Sequence, residues 1–141
     1  MRIDFTIQVE RPAKDVFAYL VDVDRLTEWQ ASAVECHADG PLREGSRISE
    51  RRRLLGREAD TELEVTAFEP PRRLTLRSLS GPINFTIDHE LVGNGGGTTI
   101  HFTAEAQPGA FLAFGKKLIA KKAEQEFRGD FARLKAILEA G

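Results

Sequence analysis

The chain opens on strict alternation. Ile3, Phe5, Ile7 and Val9 fall on one face of residues 2–10, and Arg2, Asp4, Thr6 and Gln8 fall on the other. That is the period-two pattern of a half-buried strand. The stretch "RPAKDVFAYLVD" then changes period. Pro12 suits a first helical position, and Val16, Phe17 and Leu20 make a short apolar face. "DVDRLTEWQ" predicts a second short helix, entered at Asp22 or Asp24 as a cap. From Ala33 alternation returns in "AVECHA", "SRISERRRLLGREADTELEVTAFE", "RRLTLRSL" and "INFTIDHELVGNGGGTTIHFTAEA". Pro70-Pro71 and Gly81-Pro82 punctuate it. After Pro108-Gly109 a helical pattern runs from Ala110 to about Ala140. Neither an internal repeat nor a linker interrupts this order of one strand, two short helices, about six strands and one long helix.

This order predicts an α+β fold. Consecutive strands with short turns form an antiparallel meander. Their alternation leaves one face solvated and the other covered. The last helix is the element long enough to cover it. A sheet curved around one helix encloses space unless large side chains fill it.

The arginine run in "SERRRLLGREADTE" resembles a nucleic-acid patch until the strands are paired. With a tight turn at Leu55-Gly56, Arg53 falls opposite Glu58, Arg51 opposite Asp60 and Arg47 opposite Glu64. The run is then half of a cross-strand ion-pair ladder that helps set register. The same pairing sends Ile48 and Leu63 to the core side, together with Glu50, Arg52, Ala59 and Thr61. Two readings fit the charged pair there. Either it lies near an open sheet end and reaches water, or it lines a wet cavity. His89 is in phase with Ile83, Phe85, Ile87 and Leu91. It is either a core histidine with a satisfied hydrogen bond or part of the same cavity.

Along the last helix, Ala113, Ala120, Ala123, Phe127, Phe131, Leu134 and Leu138 form one stripe. Its C-terminal half is large and fills the core. Its N-terminal half is mostly alanine, which leaves apolar room unless Phe85, Phe102 and the short helices occupy it. Phe111, Phe114 and Leu118 fall on the opposite side, with Lys117, Lys121 and Lys122 nearby, and predict a partner surface. Gly115 is a candidate kink that would reset this phase.

The remaining chemistry narrows the choice. His37, His89 and His101 do not make metal-ligand spacing with Cys36 or with one another, so no metal and no cofactor is expected. His101 is out of phase with its apolar neighbours and should face solvent. "GNGGGT" sits between two strands and reads as a hairpin loop rather than a phosphate cradle. In "DHE" at 88–90 alternation sends His89 one way and Asp88 and Glu90 the other. No nucleophile-elbow or Ser/His/Asp signature occurs, and no catalytic residue can be assigned. The 141 residues are expected to form a single domain, 1–141, and a formal net charge of -2 gives no pull towards nucleic acid or an anionic membrane. No apolar run can span a bilayer. The lone Cys36 fits a small core residue in a reducing cytoplasm.

The segments "VERPAKDVFAYLVDVDRLTEWQ", "GPLREGSR", "VTAFEPPRRLTLRS" and "FRGDFARLKAILEA" resemble, in order, the START-like, helix-grip (SRPBCC) superfamily. The nearest likeness is to its polyketide cyclase/dehydrase and lipid-transport group. The resemblance implies a seven-stranded antiparallel sheet gripping the C-terminal helix, with two short helices closing one end. It implies a shared cavity rather than a shared catalytic motif. Trp29 ends the second short helix, where it plugs the seam or touches a ligand directly. The expected function is binding of a small apolar or amphipathic molecule, with Trp29, Glu50, Arg52, Phe85, His89, Phe102, Ala120, Ala123 and Phe127 around it. Two alternatives stand beside this. One is a cyclase or dehydratase using His89 or Glu50 as general base. The other is a protein-interaction module or homodimer using Phe111, Phe114 and Leu118.

Overall fold

The computed structural model describes residues 1–54, 56–81, 83–107 and 115–141. Strand β1 (Arg2–Val9) leads into helix α1 (Ala13–Leu20), a 3-10 turn (Val23–Arg25) and helix α2 (Leu26–Trp29). Strands β2 (Ala33–Ala38), β3 (Arg47–Leu54), β4 (Arg57–Glu69), β5 (Arg73–Ser80), β6 (Asn84–Asn94) and β7 (Gly97–Gln107) follow, and helix α3 (Lys116–Ala140) ends the chain. The seven strands form one sheet in the order β1-β7-β6-β5-β4-β3-β2, antiparallel at each junction. The meander therefore runs from β2 to β7. β1 departs from it by joining β7, with Phe5 opposite Phe102 and Ile7 opposite Ile100. The two short helices carry the chain from one sheet edge to the other.

The β3–β4 register is the one the charge pattern predicts. Arg53 faces Glu58, Arg51 faces Asp60 and Ile48 faces Leu63. Arg51 binds Asp60 at 3.1 Å and Arg53 reaches Glu58 at 3.5 Å on the solvated face. Arg47 stands opposite Glu64, but Glu64 is bound instead by Arg77 of β5, at 2.5 Å. Register shifts at Ala33/Glu35 in β2 and at Glu62/Leu63 and Val65/Ala67 in β4 bend the sheet locally.

Local details differ from the sequence reading by small amounts. Pro12 is the N-cap of α1, one position before the helix, with φ -60° and ψ 149°. The second helical stretch divides into the 3-10 turn and α2. Asp22, not Asp24, caps it, its carboxylate accepting from the Asp24 N–H at 3.2 Å. The face of α1 buries Tyr19 as well as Val16, Phe17 and Leu20. "GNGGGT" is the β6–β7 hairpin, with Gly95 and Gly96 at positive φ. His101 is exposed and Glu90 points outward, as alternation requires.

Helix α3 lies across the covered face. Phe131 and Leu134 are fully buried, and Ala123, Phe127 and Leu138 pack on the same core. Its C-terminal end is tied to the start of the chain. Lys135 donates to the Gln8 carbonyl at 2.6 Å, Arg11 donates to the Leu138 carbonyl at 2.9 Å, and Glu139 accepts from the Glu10 N–H at 2.8 Å. Gly115 immediately precedes α3 rather than interrupting it. Ala113, Phe111 and Phe114 lie outside the described residues, as does the expected helix start at Ala110. Leu118, the described member of the expected partner patch, is 61% exposed. Among the described residues no helix is long and apolar enough to cross a membrane.

Candidate ligand cavity

Between the covered face of the sheet and α3 lies a cavity of about 210 Å³. Alternation builds its sheet wall: Leu74 and Leu76 from β5, Phe85, Ile87 and His89 from β6, and Phe102 and Ala104 from β7. One stretch of α3 supplies Ala123, Phe127 and Phe131, and Leu20, Leu26 and Trp29 come from the short helices. The lining is mostly apolar, as small-molecule sites are. Its volume sits somewhat below the roughly 300–1,000 Å³ of drug-sized pockets.

An aromatic cluster forms one side. Phe131 packs on Phe102 at 5.2 Å between ring centroids, on Trp29 at 5.2 Å and on His89 at 6.0 Å. Phe102 in turn meets Phe127 at 4.8 Å and His89 at 5.5 Å. These separations are those of favourable offset and edge contacts.

The other side is polar and organised by Arg52. Its Nε and one Nη2 N–H donate to the two oxygens of Glu50, the latter at 3.0 Å. Its Nη1 donates to Ser32 Oγ at 2.9 Å, and Nη2 also donates to Gln30 Oε1. The Glu50 side chain is 2% exposed and that of Arg52 18% exposed. Burial opposes the Arg52 charge, but the Glu50 carboxylate outweighs it and holds the guanidinium charged. Two charges of opposite sign in bidentate geometry are tolerable here because each satisfies the other. Cys36 stands opposite Glu50 in the β2–β3 register. Burial first, and then the Glu50 charge, push its thiol up to about 11, which disfavours the thiolate.

Asp130 closes this side from α3. Its carboxylate accepts from the Ala31 N–H at 3.0 Å and from Arg133 Nη2 at 2.5 Å. Desolvation still exceeds these favourable contacts and raises it above the usual aspartate range. Glu126, one turn earlier, is raised by desolvation and by Asp130. His89 is pushed the opposite way by burial, so it is neutral at pH 7.

Of the residues singled out from sequence, Trp29, Glu50, Arg52, Phe85, His89, Phe102, Ala123 and Phe127 all wall the cavity. Ala120 does not, because the lining on α3 begins one turn later, at Ala123. The charged pair lies inside the cavity rather than at an open sheet end. Gln30, Ser32, Glu126 and Asp130 also wall it, and the sequence reading missed them. Glu126 and Asp130 precede Phe127 and Phe131 by one residue each, so they flank the apolar stripe at helical spacing; that adjacency was the available signal. Gln30 and Ser32 lie in the short connection from α2 to β2, where no periodicity operates.

The chain matches the family described as polyketide cyclase / dehydrase and lipid transport over residues 1–139. No curated protein matches it by sequence. Solved structures share the fold at low identity. A protein of Thermus thermophilus superposes with a TM-score of 0.86 at 14% identity, covering 100% of this chain and 99% of its own. A conserved protein of Geobacillus kaustophilus gives 0.83 at 18% identity, covering 99% of this chain and 96% of its own. A START superfamily protein of Mycobacterium smegmatis gives 0.68 at 14% identity, covering 93% of this chain and 98% of its own.

Proposed function

The chain belongs to the polyketide cyclase/dehydrase and lipid-transport family, and from that premise we propose that it binds a compact apolar or amphipathic small molecule in the cavity between the sheet and α3. The observation that carries this reading is a mostly apolar cavity, about 210 Å³, with a few polar side chains, the Glu50–Arg52 pair among them, set into its wall. Buried space of this kind costs stability when empty, because its lining lacks contact partners. A ligand that fills it would recover those contacts and orient itself by the polar side.

Native mass spectrometry of protein purified from its own host tests this. A retained small molecule is expected, and Ala123→Phe, which fills the space from α3, should lose it. The same variant should bind the neutral dye N-phenyl-1-naphthylamine at least about tenfold more weakly than the parent. Equal dye binding by both proteins would place the ligand elsewhere.

One observation favours a second reading, proton transfer on a bound substrate. His89 Nδ1 is committed to the Leu74 carbonyl, which leaves the neutral imidazole with its lone pair on Nε2. Both oxygens of Glu50 are engaged by Arg52, so His89 Nε2 is the less encumbered of the two candidate groups. If the retained molecule is a substrate, it should be converted by the parent protein and not by His89→Asn.

A further inference from the structure

We infer that His89 Nε2 accepts a hydrogen bond from an uncharged hydroxyl of the bound molecule, so that the ligand is an apolar body carrying an alcohol or phenol rather than a ketone, ether or acid. This rests on the reading of the cavity as a ligand site and holds whether or not the bound molecule reacts.

His89 walls the cavity and is 5% exposed. Its Nδ1 lies 3.0 Å from the Leu74 carbonyl, which consumes the ring's one proton. Nε2 is then a bare acceptor, and it stands at the far end of the ring from Cβ, away from the sheet backbone. It has no hydrogen-bond partner among the described residues. Among those residues one buried side-chain polar atom is both unpartnered and sealed on all sides, Trp29 Nε1. His89 Nε2 is unpartnered without being sealed, so it borders the open space that its residue walls.

The surroundings say what can meet it there. The rings of Phe102 and Phe131 lie 5.5 and 6.0 Å from the imidazole, centroid to centroid. The donors of Arg52 are turned to Glu50, Ser32 and Gln30. A lone water at Nε2 would find one polar partner among apolar neighbours, fewer than a buried water ordinarily needs. A hydroxyl carried on an apolar body supplies the missing proton while the body fills the space beside the rings. A ketone or ether oxygen would bring a lone pair against a lone pair, and an ion would be stripped of water beside two phenyl rings. Burial also disfavours the imidazolium, which keeps Nε2 an acceptor at pH 7.

Three probes of similar shape separate the possibilities at pH 7: 2-naphthol, which donates; 2-methylnaphthalene, its isostere without a polar group; and 2-methoxynaphthalene, which only accepts. 2-Naphthol should bind about tenfold more tightly than either of the others, the factor expected of one buried hydrogen bond. It should also move the Nε2 nitrogen resonance of His89 upfield in a long-range proton–nitrogen spectrum, and 2-methylnaphthalene should not. The other two histidines, His37 and His101, are exposed, and the signal missing from His89→Asn assigns the third. In His89→Phe the ratio of 2-naphthol to 2-methylnaphthalene affinity should fall to about one, whatever becomes of each affinity. With 2-naphthol bound, an absent preference, an unmoved Nε2 resonance or an undiminished ratio in His89→Phe each overturns the inference and leaves the cavity reading intact. So does binding of N-phenyl-1-naphthylamine without binding of 2-naphthol. If neither binds, the cavity reading fails and takes the inference with it. The affinities and resonance shifts of the parent protein decide the matter even if His89→Phe does not fold.

Discussion

His89 Nδ1 lies 3.0 Å from the carbonyl oxygen of Leu74, its direct partner across the β5–β6 ladder. A carbonyl only accepts, so Nδ1 carries the proton and the tautomer is fixed by the backbone. This one contact thus decides which nitrogen of the buried imidazole keeps a lone pair.

That burial has a pH consequence. The folded state lowers the His89 pKa from its ordinary value of 6.5, so below about that pH the unfolded chain takes up a proton that the folded chain refuses. Stability present above pH 6.5 is therefore lost as pH falls towards the depressed folded value, with a limiting slope of about 1.4 kcal/mol per pH unit. His89→Asn keeps a donor near the Nδ1 position and removes the titration. Urea melts from pH 7 to pH 5 should show the parent losing stability relative to this variant. Parallel losses in both proteins would mean that His89 does not titrate abnormally.

The arginines at 52 and 53 are adjacent in sequence and differ in consequence. Arg53→Ala removes an exposed pair with Glu58 and should change stability by less than about 1 kcal/mol. Arg52→Ala strands the buried Glu50 carboxylate and frees the acceptors of Gln30 and Ser32, so it should cost about 3 kcal/mol. Replacing Glu50 and Arg52 together by methionine should recover most of that loss, because neither charge is then left alone. Similar small losses for the two alanine variants would contradict the inward placement of Arg52.

Much of this was legible in the sequence where a period operates. Strand alternation placed Glu50, Arg52 and His89 on the covered face beside Ile48 and Leu91, and the opposite charges around Gly56 fixed the β3–β4 register. Helical phase found Phe127, Phe131 and Leu134 on the core side of α3. What periodicity does not carry is which part of a stripe meets the space: the stripe includes Ala120, whereas among the described residues the α3 lining begins at Ala123. Nor does it carry tertiary choice. Glu64 has Arg47 and Arg77 on its two sides, and only the structure shows that it binds Arg77. Asp130 was hidden for a similar reason: an aspartate beside a core phenylalanine reads as the polar edge of a helix until the Ala31 N–H is brought against it.

Asp130 gives the opposite pH signature to His89. Desolvation raises its folded pKa above the unfolded value, so the folded chain holds a proton that the unfolded chain has released. This carboxyl's contribution is most favourable below the ordinary aspartate range and is lost as pH rises through the elevated folded value. Asp130→Asn retains an acceptor for the Ala31 N–H and Arg133 but cannot ionise. Denaturant melts of parent and variant should therefore converge, or cross in the variant's favour, as pH rises from about 4 to 7. A stability difference that stays constant over that interval would show that the folded protein leaves this carboxyl at its unfolded affinity. The cavity wall would then accommodate negative charge at Asp130.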